Sequence, residues 1–388
     1  MGYDIICISS TRWDFLWQRP QQLMLRLSKN NRVVFLNHSY PVRYYEIKEK
    51  LTNPKLWEKR LVEIDKSLWV FSTIQLCKNF SNVMRGDDPD NVSLEAFNYR
   101  VKSEILKFVM EKLEFKDPVV ITYLPESVNY ISEVSPKLIC YECIDEWSGF
   151  TWSDKNIAEM ETQLAQKSDL IFTSAERLYN KMKAINDNTY LLPNAVDFEH
   201  FNKAYKYRGG IPEVMHKIRK PIIGFVGAFY DWVDTDLIKF LANSRPEWSF
   251  IIIGPVYGVN TKIYKQNANI VFLGIKGYRD LPGYLSCFDV CLIPFKINIV
   301  TESANPIKMW EYLATGKPIV STAIPEVKKF EDIIYIGKDK YDFLNKVERA
   351  LGEKDLDKIQ KRILTAKQND WNFRVEKIID LIKNYRNR

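Results

Sequence analysis

Apolar positions along this chain fall into short, near-continuous runs, separated by longer stretches where they recur at three-and-four spacing. In the first half Ile5–Ser9, Arg32–Leu36, Trp69–Thr73, Val119–Tyr123, Leu138–Glu142 and Leu170–Phe172 read as buried strands. In the second half Ile222–Val226, Phe250–Ile253, Ile270–Leu273, Val290–Ile293 and Ile319–Ser321 do the same. Between them lie helical patterns. Gln21–Leu27 puts Leu23, Met24 and Leu27 on one face, and Leu94–Leu113 forms a long helix. Ile157, Met160, Glu161 and Leu164 share a face. Further helices are predicted from about Thr235, near Leu281–Cys287, over Ile307–Thr315 and over Val375–Asn384. Strand and helix in strict alternation predict parallel sheets, whose ligands bind beyond the carboxyl ends of the strands. No tandem repeat of 20 to 50 residues is visible.

The stretch from Ile293 to Thr322 is the most informative. A buried strand ends at Pro294, and a polar loop with Thr301, Glu302, Ser303 and Asn305 follows. Pro306 stands at a helix start and Gly316 at its end. A strand, loop and helix N-terminus of this kind is a ready anion site. Lys308 falls in the first helical turn, where a cation is unfavourable unless an anion lies near. Glu311, one turn further on, suits the hydroxyls of a sugar. The stretch therefore reads as a seat for a diphosphate and its ribose. The plainer alternative is a solvated ion pair three residues apart, contributing a few tenths of a kcal/mol.

The loop after the first strand, Ser10–Pro20, is rich in aromatic and guanidinium groups. Arg12, Trp13, Asp14, Trp17 and Arg19 are placed by it at a binding mouth, unless Trp13 and Trp17 are simply a packed helical pair. Asp145 and Glu146 follow another strand at its carboxyl end. Thr173–Glu176 resembles a capping box, and Asp234-Thr-Asp236 imitates a metal motif but falls where acids cap a helix. The acids of residues 85–90 read as a solvated turn. No G-x-G-x-x-G follows either first strand, which disfavours a hydride-transfer dinucleotide site.

Length changes this picture little: 388 residues suit two or three domains. The polar segment Phe198–Lys220, with Gly209, Gly210 and Pro212, marks the boundary. Domains of 1–204 and 205–370 follow, with a closing helix over 371–388 returning to the first. Net charge is +7, which favours phosphate-rich substrates or an anionic membrane surface but is too weak for a nucleic-acid binder. Aromatic content of 13% suits sugar rings as well as cores. Six cysteines and three histidines make a metal site a weak reading, even though Cys140/Cys143 and Cys287/Cys291 have suggestive spacing; buried thiols in a reducing cytosol are expected. No signal peptide or membrane-length apolar run is apparent.

Several of these segments resemble one family. Asn305–Val320 (NPIKMWEYLATGKPIV), Leu192–Asp197, Phe225–Asp234 and Trp248–Pro255 are similar to the retaining GT-B glycosyltransferases that include sucrose synthase and bacterial mannosyltransferases. Arg12–Pro20 and Tyr141–Glu146 resemble the narrower branch of teichuronic acid biosynthesis glycosyltransferases. The likeness runs over nearly the whole chain. It implies an α/β chain of GT-B class, with two Rossmann-like doubly wound domains facing a central cleft.

The resemblance also implies roles. Glu311 matches the second glutamate of the family's E-x7-E motif; the first would fall at Ser303, with Glu302 beside it. Ala228 stands where many members carry an arginine after Gly227. Lys308 and the backbone of Ser303, Ala304, Asn305, Pro306 and Ile307 would then hold the diphosphate, with Lys296 in support. The Gly274–Tyr278 loop, with Lys276 and Tyr278, would meet the nucleobase. Asp145 is the candidate for the part played by the family's N-domain histidine, with Lys308 and Glu302 as the other catalytic candidates. The implied reaction moves a sugar from a nucleoside diphosphate to a hydroxyl with retention, needing no metal and no cofactor beyond the sugar nucleotide. The implied partners are that donor, a glycan or lipid-linked glycan acceptor, and the cytoplasmic face of the inner membrane, with no nucleic acid; the setting is cytoplasmic polysaccharide or cell-wall synthesis. A sugar-nucleotide epimerase or hydrolase, a non-catalytic glycan-binding protein and, at a distance, an NAD-dependent dehydrogenase are the alternatives.

Overall fold

A computed structural model of the protein describes residues 2–42, 55–76 and 93–387. The chain divides into two units: Met1–Thr173 with Tyr179–Leu191 and Ile378–Arg388, and Ser174–Leu178 with Leu192–Lys377. The main change of unit therefore falls at Leu191/Leu192, not near residue 205. Phe198, Phe201 and Ala204 are the reason, because they are buried in the core that also holds Tyr284, Met309 and Leu313.

The first unit is built on strands β1 (Asp4–Ile8), β2 (Arg32–Leu36), β3 (Tyr40–Val42), β4 (Leu61–Asp65), β5 (Leu68–Phe71), β6 (Ile74–Leu76), β7 (Val119–Thr122), β8 (Leu138–Cys143), β9 (Leu170–Thr173) and β10 (Thr189–Leu191). Its main sheet runs β10-β9-β8-β7-β1-β2-β5-β4, and β3 pairs β6 separately. All pairs in the main sheet are parallel except β4 with β5. The apolar runs of β1, β7 and β9 are buried almost throughout, as a sheet covered on both faces requires. Helix α1 (Arg19–Leu27) follows β1, and α2 (Leu94–Lys112) leads to β7. Chain order reverses between β1 and β7, which makes their carboxyl ends the switch point where such sheets take ligands.

The second unit repeats the design with β11 (Ile222–Val226), β12 (Ser249–Ile253), β13 (Ile270–Gly274), β14 (Val290–Ile293), β15 (Ile319–Thr322) and β16 (Tyr335–Gly337) in the order β13-β12-β11-β14-β15-β16. Its switch point lies between β11 and β14. Helix α3 (Thr235–Ser244) follows β11, and the short α4 (Ile299–Glu302) and then α5 (Ile307–Ala314) follow β14. Asp234 caps α3 by accepting from Leu237 N at 2.9 Å, so the Asp234-Thr-Asp236 acids serve a helix start as the sequence suggests. Pro306 sits one place earlier than expected, at the N-cap of α5, and Gly316 leaves the helix with φ +70°. Two helices that the sequence pattern did not reveal belong to this unit: α6 (Lys340–Leu351), which packs on β15 and β16, and α7 (Leu356–Lys367), which packs on α5. The closing helix α8 (Trp371–Arg386) is longer than its apolar pattern indicates.

Cys7, Cys140, Cys143, Cys287 and Cys291 are buried and free, and burial pushes their thiols up, so the suggestive spacings belong to core thiols. The acidic turn read at 85–90 lies outside the described residues.

Candidate functional site

At the carboxyl edge of the second unit's sheet, beginning beside its switch point, the adjacent strands β11, β12 and β13 run into or end on glycines, Gly227, Gly254 and Gly274. Gly227 N donates to Ile253 O and Gly254 N to Gly274 O. Gly254 has φ +140°, and a Cβ there would meet Gly227 O at 1.9 Å. This bare ledge lets backbone run beside backbone, which only glycine permits. A Cβ on Gly227 would stand 3.8 Å from Lys308 Cε, so Gly227 and Lys308 are neighbours.

Lys308 lies in the first turn of α5, whose start has no side-chain cap and no acid. Its ammonium binds Glu311 Oε2 at 2.6 Å. This is not the solvated pair of the plainer reading: the Glu311 side chain is 3% exposed and that of Lys308 20%. Burial raises the Glu311 carboxyl above its ordinary range, and Lys308 opposes that rise. Helix α5 is clamped to the sheet by Tyr312, whose buried hydroxyl accepts from Val226 N at 2.8 Å.

The loop before α5 is held by side chains the sequence did not mark. Asn305 Nδ2 donates to Glu326 Oε2 at 3.2 Å, its Oδ1 accepts from Trp310 Nε1 at 2.8 Å, and its carbonyl accepts from Asn194 Nδ2 at 2.6 Å. The Asn305 carboxamide is thus engaged in fixing the loop, and the other oxygen of Glu326 accepts from Glu176 N and Lys329. Glu326 therefore serves the helix start at Glu176, where the sequence had suggested a local capping box. Its one sequence signal is the Pro325-Glu326 opening of a short helix.

Other expected residues are placed differently. Ser303 is fully buried and its hydroxyl donates to Ile299 O at 2.8 Å, which leaves only its backbone for a ligand. Glu302 ends α4 and pairs with Arg177 at 3.2 Å. Ala304, Pro306 and Ile307 carry the chain from that turn into α5. On the far side of the ledge, after β13, Tyr278 stacks on His200 with centroids 4.5 Å apart and its carbonyl meets His200 Nε2 at 2.9 Å; Lys276 lies over Tyr284.

In the first unit, the loop after β1 stands at that unit's switch point. Arg12 pairs with Asp14 at 3.3 Å and lies over the Tyr40 ring at 4.7 Å. Trp13 and Trp17 do touch, with centroids 5.7 Å apart, but in a turn rather than a helix. The loop is tied down by Trp13 N to Asn37 Oδ1 and by Gln21 Nε2 to the Arg12 and Leu16 carbonyls. Arg19 departs from the expectation. It opens α1 fully buried, with Nε bound to Glu142 Oε2 at 2.6 Å, and so belongs to the core and not to a binding mouth. A charge enters a core only with such a partner.

Asp145 follows β8, one strand from the switch point, and burial pushes its carboxyl up to about 6. The turn that presents it is fixed from below. Glu146 Oε1 accepts from Lys181 at 2.5 Å and Ser148 at 2.7 Å, and Lys181 also reaches Glu161, which accepts from Tyr141. Among the described residues no three His, Cys, Asp or Glu gather as a metal site would need. No described helix is long and apolar enough to cross a membrane.

Residues 220–353, which carry the glycine ledge, Lys308 and Glu311, match the family described as Glycosyl transferases group 1. A relative from Bacillus subtilis (strain 168), TuaH, which carries the name teichuronic acid biosynthesis glycosyltransferase, is 26% identical over an alignment of 258 residues that covers 60% of this chain. The match spans 64% of that relative, a little under two thirds of its length. The fold is GT-B. Sucrose-phosphate synthase from Thermosynechococcus elongatus superposes with TM-score 0.69 at 13% identity, over 98% of each chain. HepE of Anabaena, solved in complex with UDP, gives 0.64 at 12% identity over 99% of this chain and 100% of its own.

Proposed function

We propose that the matched segment is a group 1 glycosyl transferase domain and serves a whole enzyme that moves a sugar from a nucleoside diphosphate to a hydroxyl of a glycan or lipid-linked glycan. Retention at the anomeric carbon, independence from metals and a part in bacterial cell-surface polysaccharide synthesis at the inner membrane face belong to the same reading. The observation that carries it is the partly buried Lys308–Glu311 pair in the first turns of an uncapped helix beside Gly227.

Glycosyl transfer breaks the bond from the anomeric carbon to the diphosphate oxygen and forms one to the acceptor oxygen. The electron pair leaves with the diphosphate, so the main requirement is neutralisation of growing negative charge. Fixed N–H groups at the start of α5, its dipole and the Lys308 ammonium act on that charge. Glu311 accepts from the ribose hydroxyls. The acceptor is taken by Arg12, Trp13, Asp14 and Trp17; Arg19, Ser303's hydroxyl and Glu302 have no part in this scheme. Asp145, ionised above about pH 6, takes the acceptor proton.

Calorimetry with UDP and GDP, followed by mass analysis of products from a panel of their sugars, tests the proposal. Binding of neither nucleotide overturns it. Release of free sugar with no acceptor present would mark a hydrolase instead. EDTA should leave the rate unchanged.

Two variants probe the acceptor side. Arg12→Ala or Trp17→Ala is expected to cut transfer about tenfold or more and leave nucleotide affinity as it was, as expected of an interaction made with the second substrate alone; a matching loss of UDP or GDP affinity would misplace the loop. Asp145→Asn should abolish the rise of turnover with pH through about 6. It should also stabilise the fold at neutral pH. The Asp145 pKa is higher folded than the roughly 3.9 of an unfolded aspartate, so the native state binds the extra proton and its stability falls as pH rises from about 4 to 6. The melting temperature of the wild type should drop relative to Asp145→Asn across that window, and parallel curves would show that the carboxyl is not perturbed.

A further inference from the structure

The loop after β11 carries no cation; it reads Gly227-Ala-Phe-Tyr-Asp-Trp232. Its aromatic side chains divide by environment. Phe229 is fully buried and packs edge-on against Phe272 at 5.4 Å, whereas Tyr230 and Trp232 remain half-buried at the carboxyl edge of the sheet. Tyr230 and Trp232 lie 4.7 Å apart, and Tyr257, from the loop after β12, approaches Tyr230 at 6.3 Å and is 44% exposed.

This group of rings is held in place from both sides. Phe229 N donates to Pro255 O at 2.8 Å and Tyr257 N to Phe229 O at 3.0 Å, which ties the loop to the one after β12. Lys296 N donates to Trp232 O at 2.8 Å and Asp234 N to Pro294 O at 2.8 Å, which ties it to the one after β14. Large rings ordinarily bury most of their surface in a core. Three rings kept partly exposed at the ligand edge, on backbone fixed on both sides, are pre-organised for a planar or C–H-rich partner and lose little freedom on binding it.

We infer that Tyr230, Trp232 and Tyr257 form a stacking platform for the C–H face of the hexopyranose carried by the donor. This rests on the nucleotide-sugar reading. Gly227, where the loop begins, adjoins Lys308, so a diphosphate held by Lys308 lies against the start of this loop and the sugar attached to it falls within reach of Tyr230 and Trp232. The nucleobase is assigned to the loop after β13, which lies two strands, roughly 10 Å, from the loop that carries Tyr230 and Trp232 and beside the one that carries Tyr257. Aromatic faces at the ledge thus supply ring recognition where a guanidinium would have supplied charge.

The test separates sugar from nucleotide. UDP, UDP-glucose, GDP and GDP-mannose are titrated calorimetrically into the full chain and into Trp232→Ala, Trp232→Phe and Tyr257→Ala. Trp232→Ala and Tyr257→Ala should bind the free diphosphate as the wild type does and bind its sugar conjugate at least about fivefold more weakly. Trp232→Phe, which keeps a ring, should recover most of the loss. An unchanged ratio of conjugate to free nucleotide in folded Trp232→Ala and Tyr257→Ala, beside normal nucleotide affinity, overturns the platform alone. A wild type that binds none of the four overturns the nucleotide reading and the platform with it.

Discussion

Lys308→Met is expected to lower turnover at saturating donor by about two orders of magnitude, comparable with removing one oxyanion donor. Charge on the departing diphosphate oxygen grows as the glycosidic bond breaks, so a cation beside it acts more strongly in the transition state than on the bound donor. Methionine keeps the aliphatic stem and removes only the charge. The experiment has a structural complication, because Lys308 is the counter-charge of the buried Glu311. Removing one member of a buried pair alone costs about 3–5 kcal/mol. Lys308→Met should therefore also lower the denaturant midpoint, and Lys308→Met/Glu311→Gln should restore it. Turnover should stay low in both. A double variant that regains stability and wild-type turnover would show that the lysine serves only its carboxylate.

Glu311→Gln is expected to weaken nucleotide binding about 10- to 100-fold, the worth of a charged hydrogen bond at roughly 1.5–3 kcal/mol. The amide fills the same space and can still bond one way to a ribose hydroxyl, but it no longer accepts through two charged oxygens. Burial already pushes the Glu311 carboxyl up, and Lys308 keeps it from rising further. Affinity for UDP or GDP in the wild type should accordingly weaken on acidification, and the Gln variant should lack that dependence. Equal affinities of wild type and Glu311→Gln, both folded, would remove Glu311 from the site.

How much of this was legible in the chain depends on distance. Features made by neighbours were: the apolar runs became strands, Pro306 and Gly316 bracketed α5, and Asp234 capped α3. Features made by remote partners were not. Arg19 looked like a binding residue because its partner, Glu142, lies 123 positions away. Beyond the opening of a short helix, nothing in the sequence marked Glu326, because the groups it binds, Asn305 and Glu176 N, are 21 and 150 positions off. Helices α6 and α7 escaped notice partly because exposed apolar residues, Tyr341 at 63% in α6 and Leu356 at 69% and Leu364 at 55% in α7, blur the helical stripe. Strand β4 did so because it is an edge strand exposed along most of its length. In the site itself the helix with Lys308 and Glu311 was readable, but the depth at which Glu311 is buried was not.

The glycine ledge has a consequence for how such a protein can diverge. Position 254 faces a carbonyl at 1.9 Å from any added carbon, so no codon but glycine is tolerated there, whatever the substrate. At Ala228, one step past the ledge, the chain is only half-buried and the constraint ends. Charge recognition and ring recognition can therefore be exchanged within a lineage by rewriting a few loop codons, while the sheet beneath, and the spacing between its strands, stay unaltered.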